Sequence, residues 1–212
     1  MAIAVNGQVL AALSLDHGQT HSRFLMDAVD SLLKLSCMGV NDMDAFAVTR
    51  GPGSFTGLRI GISTVKGLAF AAGKPIIGVS SLEVLAHQAG GDASLVCPMM
   101  DARRNEVYWR IYDRQEGLLM PVTDERVGPV EHMARRIDRP CAVIGNAAAL
   151  YAERLSKSTG QTIQWTPSIY NEIHPAMVAQ LAWRRLQQGA QDDVETFAPV
   201  YLRKSDAEIN KK

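Results

Sequence analysis

The chain has 212 residues, which is enough for one large domain or two small ones. Its 22 basic and 22 acidic residues cancel, so the sequence lacks the overall basic character of a free-standing nucleic-acid binder. The three cysteines are isolated, no apolar run is long enough to span a membrane, and no signal-peptide pattern opens the chain, so we expect a cytoplasmic protein with reduced thiols.

The first half of the chain predicts alternating strands and helices. Two strand-like runs surround Asn6-Gly7, a dipeptide that favours a type I′ hairpin. A helix is expected from about His21 to Leu35, with Thr20 as its N-cap. The β-branched and apolar run at 44–49 predicts a buried strand. Since a second helix follows that strand, an α/β layer is indicated.

A glycine-rich loop joins the predicted strand to a helix that ends near Ala72. It reads Arg50-Gly-Pro-Gly-Ser-Phe-Thr-Gly-Leu-Arg-Ile-Gly61. Glycines allow positive φ, so Gly51, Gly53 and Gly57 predict a tight turn with backbone N–H groups pointing outward. Such a loop at a helix N-terminus either is a structural turn or receives an anion.

Two phosphate-binding motifs fit this loop only in part. G-x-G-x-x-G fails because Thr56 stands where its last glycine is required. The P-loop pattern fails because Leu58 and Arg59 follow Gly57, with no lysine or hydroxyl for phosphate and Mg²⁺. The loop residues that could still bind a nucleotide weakly are Gly51, Gly53, Ser54, Thr56 and Gly57.

The second half of the chain predicts another α/β unit after a hinge at 90–92. Strands are expected at 94–100 and 106–112, and 118–122 should form a hairpin with the second of these. The region that follows predicts further short elements. These are a helix at 130–137, a strand at 141–144, a helix capped by Asn146, a strand at 161–165 and a helix opened by Pro175 at its N1 position.

The whole loop string resembles the signature of the TsaB (YeaZ-like) family. The resemblance continues at Thr20-His-Ser22, Pro75–Leu82, Asp101–Tyr108 and Pro199–Arg203, and it is weakest between 116 and 196. The family is the dimerization subunit of the bacterial machine that makes N6-threonylcarbamoyladenosine in tRNA. The resemblance therefore implies an accessory subunit of that machine.

The resemblance implies the actin-like ATPase (ASKHA) fold with two α/β lobes. We expect an N-terminal lobe at 1–91, a C-terminal lobe at 92–196, and a C-terminal segment and tail at 197–212. Family members begin with one more strand, bearing an Asp-Thr-Ser/Thr hairpin, and Met1 aligns after that hairpin. Either the true start lies upstream or the protein is a shortened variant. Without that strand, unpaired strand edges are expected in the first lobe.

The resemblance also implies the partners. They are the catalytic subunit TsaD, the ATPase TsaE, and a second copy of this chain when it is alone. Binding to tRNA is expected only through the complex, and ATP or ADP only at the interface of the complex. No catalytic residue and no metal site is expected in this chain. The alternative functions are an ATP-hydrolysing actin-like enzyme and a glycoprotease-like peptidase that acts on a partner.

Two apolar stripes could be either lobe core or interface. They lie on the first predicted helix and on the helix after the glycine-rich loop. Such stripes usually belong to a core, but in the family these two helices meet their counterparts across a subunit boundary. We therefore expect part of each stripe to bind a partner. The interface candidates are Leu25, Val29, Leu32, Ile62, Val65 and Leu68.

Other reactive residues have simpler interpretations. His17 and His21 have the spacing of a metal-binding pair on a helix, but Gly18 separates them, so a solvent loop is favoured over a metal site. Ser54 and Thr56 lack a nearby base for nucleophilic catalysis, and hydrogen bonding within the turn is the better interpretation.

Charged residues around these segments allow two interpretations. Asp101, Arg103 and Glu106 predict either a salt-bridged turn between the lobes or a contact with a partner or nucleotide. Arg50 and Arg59 flank the glycine-rich loop and could contact phosphate or tRNA, or pair with a carboxylate.

Overall fold

The computed structural model describes residues 1–15 and 24–203. Most of the predicted elements are present, and the sequence alternates strands and helices along its length. In chain order, the elements are β1 (Ala2–Val5), β2 (Gln8–Ala12), α1 (Leu25–Leu35), β3 (Phe46–Gly51), α2 (Phe55–Ala72), β4 (Ile76–Ser80), α3 (Ser81–Gln88), β5 (Leu95–Asp101), β6 (Val107–Trp109), β7 (Tyr112–Gln115), β8 (Leu118–Pro121), β9 (Arg126–Gly128), α4 (Val130–Ala134), β10 (Cys141–Ile144), α5 (Ala148–Ser158), β11 (Ile163–Trp165) and α6 (Pro175–Gln187).

Contacts divide the chain into two compact units. The first unit comprises Met1–Ser80 and His174–Val200, and the second comprises Ser81–Ile173 and the segment that begins at Tyr201. The boundaries expected from the sequence, after residues 91 and 196, differ from this division. Helix α6 packs against β1, β2, β3 and β4, so it belongs to the first unit although it follows the second in the chain.

The first unit contains two separate two-stranded sheets. β1 and β2 form the antiparallel hairpin predicted from Asn6-Gly7, and β3 and β4 pair in parallel. Asn6 and Gly7 both have positive φ, as a type I′ turn requires. Among the described residues, β1, β2 and β3 each pair with one strand only, and β4 has in addition an isolated antiparallel bridge between Ile76 and Asp192. The expectation of strand edges without a neighbouring strand therefore holds for β1, β2 and β3, whereas the segment after α6 meets part of β4.

A small core joins α2 to the β3–β4 sheet in the first unit. Ile62 and Ala69 of α2 pack with Ile76 and Phe197, and all four side chains are buried. A Cβ at Gly78 would lie 2.6 Å from Cε2 of Phe197, so a larger residue there would displace the Phe197 ring. Phe197, in the segment after α6, thus packs into the same core as the side chains of α2 and β4.

The second unit is built on a mixed seven-stranded sheet. β5 pairs in parallel with β10, and β10 in parallel with β11. On its other side β5 pairs antiparallel with both β6 and β7. The strand predicted at 106–112 is therefore two strands, and β7 forms the predicted hairpin with β8 through a Glu116-Gly117 turn.

Helices cover both faces of this sheet. Alternate residues of β5 and β10 enter two different cores because side chains of a strand alternate between its faces. Leu95 and Cys97 pack with α4 and α5, whereas Val96 packs with α3. Both strands are therefore buried on both faces, which explains their continuous apolar sequences.

Several local predictions need correction. The helix predicted at 21–35 is described only as Leu25–Leu35, and its predicted cap, Thr20, lies outside the described residues. Asn146 does not cap α5, whose N-cap residue is Ala147. Instead, the Asn146 side-chain oxygen accepts a hydrogen bond from the Asp101 N–H at 3.0 Å.

Asp192 fastens the segment after α6 to β4, and its replacement should destabilise the first unit. Its carboxylate accepts a hydrogen bond from the Gly78 N–H at 2.7 Å. Asp192→Ala leaves this partly buried donor without its acceptor, which costs about 1–3 kcal/mol of unfolding free energy. Denaturant unfolding measures the loss. The control Glu195→Ala removes an exposed carboxylate nearby and should change stability by less than about 0.5 kcal/mol. Equal stability of the two variants would contradict this role of Asp192.

Candidate partner-binding surface

The first glycine of the glycine-rich loop, Gly51, packs against the backbone of Val200. Gly51 has a φ of +114°, and a Cβ there would lie 2.6 Å from the carbonyl oxygen of Val200. The Val200 N–H also donates to the Arg50 carbonyl at 2.7 Å. Positive φ is thus confirmed at Gly51. It is wrong for Gly57, which lies in the first turn of α2 with ordinary helical φ.

The polar residues of this loop serve the start of α2. Ser54 is the N-cap residue, and its Oγ accepts a hydrogen bond from the Gly57 N–H at 3.3 Å. The interpretation of Ser54 as a hydrogen-bonding turn residue is therefore confirmed. Thr56 is exposed in the first helical turn, and Gly53 is half-buried just before Ser54. The five loop residues lie together, and the Ser54 oxygen accepts the bond from Gly57.

Helix α1 has an apolar face that the chain covers only in part. At 100° per residue, its large apolar side chains span about 180° of the circumference. Only Leu32, near the centre of this arc, is buried. Leu25 and Val29 are half-buried, whereas Met26 is 51% exposed and Leu35 is 83% exposed. The two margins of the apolar arc therefore face solvent.

Helix α2 divides the other predicted stripe between core and surface. Ile62 is 3% exposed and belongs to the core of the first unit, so it is not surface in this chain. Val65 and Leu68 are half-buried. Phe70, which the stripe does not include, is 77% exposed near the end of the helix.

Sequence reasoning missed the most exposed apolar residues of these two helices. Met26, Leu35 and Phe70 lie at the margins of, or outside, the stripes with three- and four-residue spacing. Three- and four-residue spacing identifies the residues at the centre of an apolar stripe, and these are the residues that pack into a core. The available signal was the width of the apolar arc on α1, which exceeds what one neighbouring surface covers.

The arginines near the loop have partners within the chain. The Arg59 guanidinium lies 3.9 Å from the centroid of the Phe55 ring, a cation–π contact between residues four apart on α2. Arg50 contributes its carbonyl to the bond from Val200. Their side chains remain candidates for contact with phosphate or RNA.

Asp101, Arg103 and Glu106 do form a salt-bridged turn. Arg103 lies 3.6 Å from Asp101, and Arg203 lies 3.1 Å from Glu106. Arg103, Arg104 and Asn105 have consecutive positive φ values of 61°, 54° and 60°. Such backbone costs about 1–3 kcal/mol for each non-glycine residue and is concentrated at functional sites. The turn therefore remains a candidate for partner contact.

The predicted metal candidates lie outside the described residues. His17 and His21 both fall in the segment 16–23. In the part of the chain that the structure describes, no group of three His, Cys, Asp or Glu side chains could hold a metal ion. Cys97 and Cys141 are buried free thiols, and burial raises the pKa of Cys97 well above its usual value. Within residues 1–15 and 24–203, no helix has the length and apolarity that crossing a bilayer requires.

The sequence and the fold of this chain are similar to those of known proteins. A family model described as "TsaD: tRNA N6-adenosine threonylcarbamoyltransferase" matches residues 16–211. The tRNA threonylcarbamoyladenosine biosynthesis protein TsaB of Bacillus subtilis is 34% identical over 193 residues, which cover 90% of this chain and 82% of that protein. The protein TsaB of Escherichia coli is 32% identical over 189 residues, which cover 86% of this chain and 80% of that protein. The solved structure of YeaZ from Pseudomonas aeruginosa has a TM-score of 0.80 and 32% identity, with 95% and 92% covered.

The fold class of the chain follows from its two units and from the family match. The two α/β units and the TsaD-type family match are those of the actin-like (ASKHA) fold. The chain belongs to the TsaB (YeaZ-like) family. The fold expected from the glycine-rich loop is therefore confirmed.

Proposed function

We propose that this chain is a non-catalytic subunit that binds TsaD and activates it for threonylcarbamoyl transfer to tRNA adenosine. The relatives named TsaB are tRNA threonylcarbamoyladenosine biosynthesis proteins, which supports the pathway. Ser54 caps α2, and no histidine lies near it in the sequence to act as its base, which argues against a serine peptidase centred on this loop. The chain contributes a docking surface, and TsaD supplies the chemistry.

The exposed margins of the α1 apolar face carry this proposal. A helix with Leu35 at 83% and Met26 at 51% exposure leaves large apolar side chains in water. Burial of such area is the main favourable term in protein association. A partner helix laid along α1 would cover Leu35 or Met26 and the half-buried Leu25 and Val29 together. Val65, Leu68 and Phe70 of α2 extend the same kind of surface.

The same surface explains the other proposed partners. A second copy of the chain can use it, because an isologous dimer brings one patch together with itself. Self-association and TsaD binding therefore compete. TsaE joins the assembly of this chain with TsaD, and tRNA binds to the assembly rather than to the isolated chain, whose formal net charge is zero.

Direct titration tests the proposed assembly. TsaD from the same organism is added to this chain, and the mass of the complex is followed by analytical ultracentrifugation. We expect a heterodimer that forms at the expense of the homodimer. Unchanged sedimentation of both proteins at concentrations of about 10 µM would contradict the proposal.

The isolated chain should bind ATP weakly. At Gly51 a backbone carbonyl oxygen of Val200 lies within 2.6 Å of the Cβ position, so an acceptor rather than a donor occupies the space beside the glycine. The loop also lacks the P-loop lysine. Calorimetry should give a dissociation constant above about 10 µM, equivalent to less than about 7 kcal/mol of binding free energy. Tighter binding would favour the nucleotide-hydrolysing alternative.

A further inference from the structure

The second unit contains an open cavity beside its sheet. Its volume is about 610 Å³. Residues of β6, of β9 and of the region of α4 supply its walls. The lining residues are Trp109, Arg126, Val127, His132, Arg135 and Arg136.

The charge of this cavity is one-sided. Three of its lining side chains are arginines and none is a carboxylate. Among residues 1–15 and 24–203, no carboxylate forms an ion pair with Arg126, Arg135 or Arg136. Elsewhere in the same unit, Arg139 lies 3.4 Å from Asp113, and Arg154 lies 2.9 Å from Glu131. A chain with equal numbers of acidic and basic residues has thus gathered uncompensated positive charge at one cavity.

A buried polar group in the wall also lacks a partner. Trp109 is 2% exposed, and its indole N–H has no acceptor among the described residues. Buried donors are nearly always paired, so this N–H is an exception, but it has almost no accessible surface and does not open into the cavity. The Arg126 guanidinium lies 6.0 Å from the Trp109 ring. The Arg126 side chain therefore lies beside the ring that forms this part of the wall.

The charge and the exposure of the arginines select the class of ligand. Guanidinium groups carry positive charge and are donors only, which suits the oxygens of an anion. The Trp109 ring is too deeply buried to stack on a base, so recognition of a nucleobase is not favoured. Arg126, Arg135 and Arg136 are exposed and can reach several anionic groups on one extended ligand. A polyanion such as a nucleic-acid backbone fits this arrangement better than one enclosed phosphate.

We propose that this cavity binds phosphates of the RNA backbone, so that the second unit supplies part of the tRNA-binding surface of the complex with TsaD. This inference rests on the proposed function. It adds a direct tRNA contact by this chain, through residues that belong neither to α1 nor to the glycine-rich loop. Neutralising backbone phosphates releases counterions, so binding through the cavity weakens as salt rises.

The test measures tRNA binding by the complex of this chain with TsaD. Fluorescence anisotropy of labelled, unmodified tRNA is followed at salt concentrations of about 50 to 200 mM. The variant Arg135→Gln/Arg136→Gln removes two cavity charges. We expect about a tenfold loss of affinity and a salt slope reduced by about 2, because each arginine that no longer neutralises a phosphate lowers the slope by about 1.

The control variant is Arg139→Gln/Lys157→Gln. It removes two positive charges of the same unit that already have carboxylate partners, Asp113 at 3.4 Å and Glu153 at 2.6 Å. We expect its affinity and salt slope to match the unaltered complex. Equal values for both double variants and the unaltered complex would overturn the proposal, and so would an equal loss in both variants.

Two further measurements distinguish RNA from a free phosphate ligand, and failure of the cavity proposal from failure of the proposed function. Inorganic phosphate and ATP are titrated into the isolated chain. Binding tighter than about 1 mM that the Arg135→Gln/Arg136→Gln variant loses would assign the cavity to a free phosphate ligand, against RNA. If sedimentation shows no complex with TsaD, the proposed function fails, and the cavity proposal that rests on it fails as well. A complex that forms, but whose tRNA affinity and salt slope are unchanged by Arg135→Gln/Arg136→Gln, overturns the cavity proposal alone.

Discussion

Replacing Leu35 by glutamate should reduce the affinity for TsaD by about a hundredfold, while the negative charge at the end of α1 should lower the unfolding free energy by no more than about 1 kcal/mol. The side chain is 83% exposed, so the substitution removes almost no contact within the chain. In a complex that covers α1, the new carboxylate would be buried without a partner, which costs several kcal/mol. About 2.8 kcal/mol corresponds to the stated hundredfold. Calorimetric titration with TsaD and thermal unfolding measure the two quantities.

A matched control comes from the second unit. Leu150 on α5 is 68% exposed, so Leu150→Glu places the same charge on a comparable apolar position of another helix. Its affinity for TsaD should remain unchanged. Met26→Glu tests the opposite margin of the α1 face and should weaken binding if a partner covers the whole arc. A folded Leu35→Glu protein that binds TsaD as tightly as Leu150→Glu would exclude Leu35 from the interface.

Gly51→Ala should cost roughly 2–4 kcal/mol of unfolding free energy. Its φ of +114° is unfavourable for any residue with a Cβ, and that Cβ would meet a backbone carbonyl oxygen at 2.6 Å. The oxygen belongs to Val200, which is also bonded to Arg50, so it cannot move away without breaking that bond. Denaturant unfolding measures the loss.

Gly57→Ala is the matched control within the same loop. Gly57 has ordinary helical φ, and the nearest atoms to a Cβ there are in Ser54 at 3.5 Å. Alanine is the better helix former, so this substitution should leave stability unchanged or raise it by up to about 1 kcal/mol. If both variants have the stability of the unaltered protein, the close packing at Gly51 does not contribute as described.

Local sequence patterns predicted most of the elements but not their grouping. The Asn6-Gly7 turn, the strand before the glycine-rich loop and the helix that Pro175 opens all follow from residue type and spacing. The return of α6 to the first unit depends on contacts between distant parts of the chain, which local periodicity does not encode. The glycine string indicated the family correctly, although the positive φ expected at Gly57 is wrong.

The candidate surfaces show the same limit. Sequence spacing found the apolar stripes on α1 and α2, but it could not separate buried Ile62 from exposed Phe70. The cavity arginines lie on β9 and next to α4, in the region where the family resemblance is weakest. Only the fold of the second unit brings Arg126 beside Arg135 and Arg136. The pair Arg135-Arg136 was the one sequence signal available there.

Omission of this chain from a reconstituted transfer reaction tests the central claim most directly. TsaD, TsaE, tRNA and threonylcarbamoyl-adenylate are combined with and without it, and the modified adenosine is quantified by mass spectrometry of tRNA nucleosides. We predict abundant product with the chain, little without it, and none when TsaD is omitted. Equal rates with and without the chain, or product formed by this chain in the absence of TsaD, would contradict its role as a non-catalytic activating subunit.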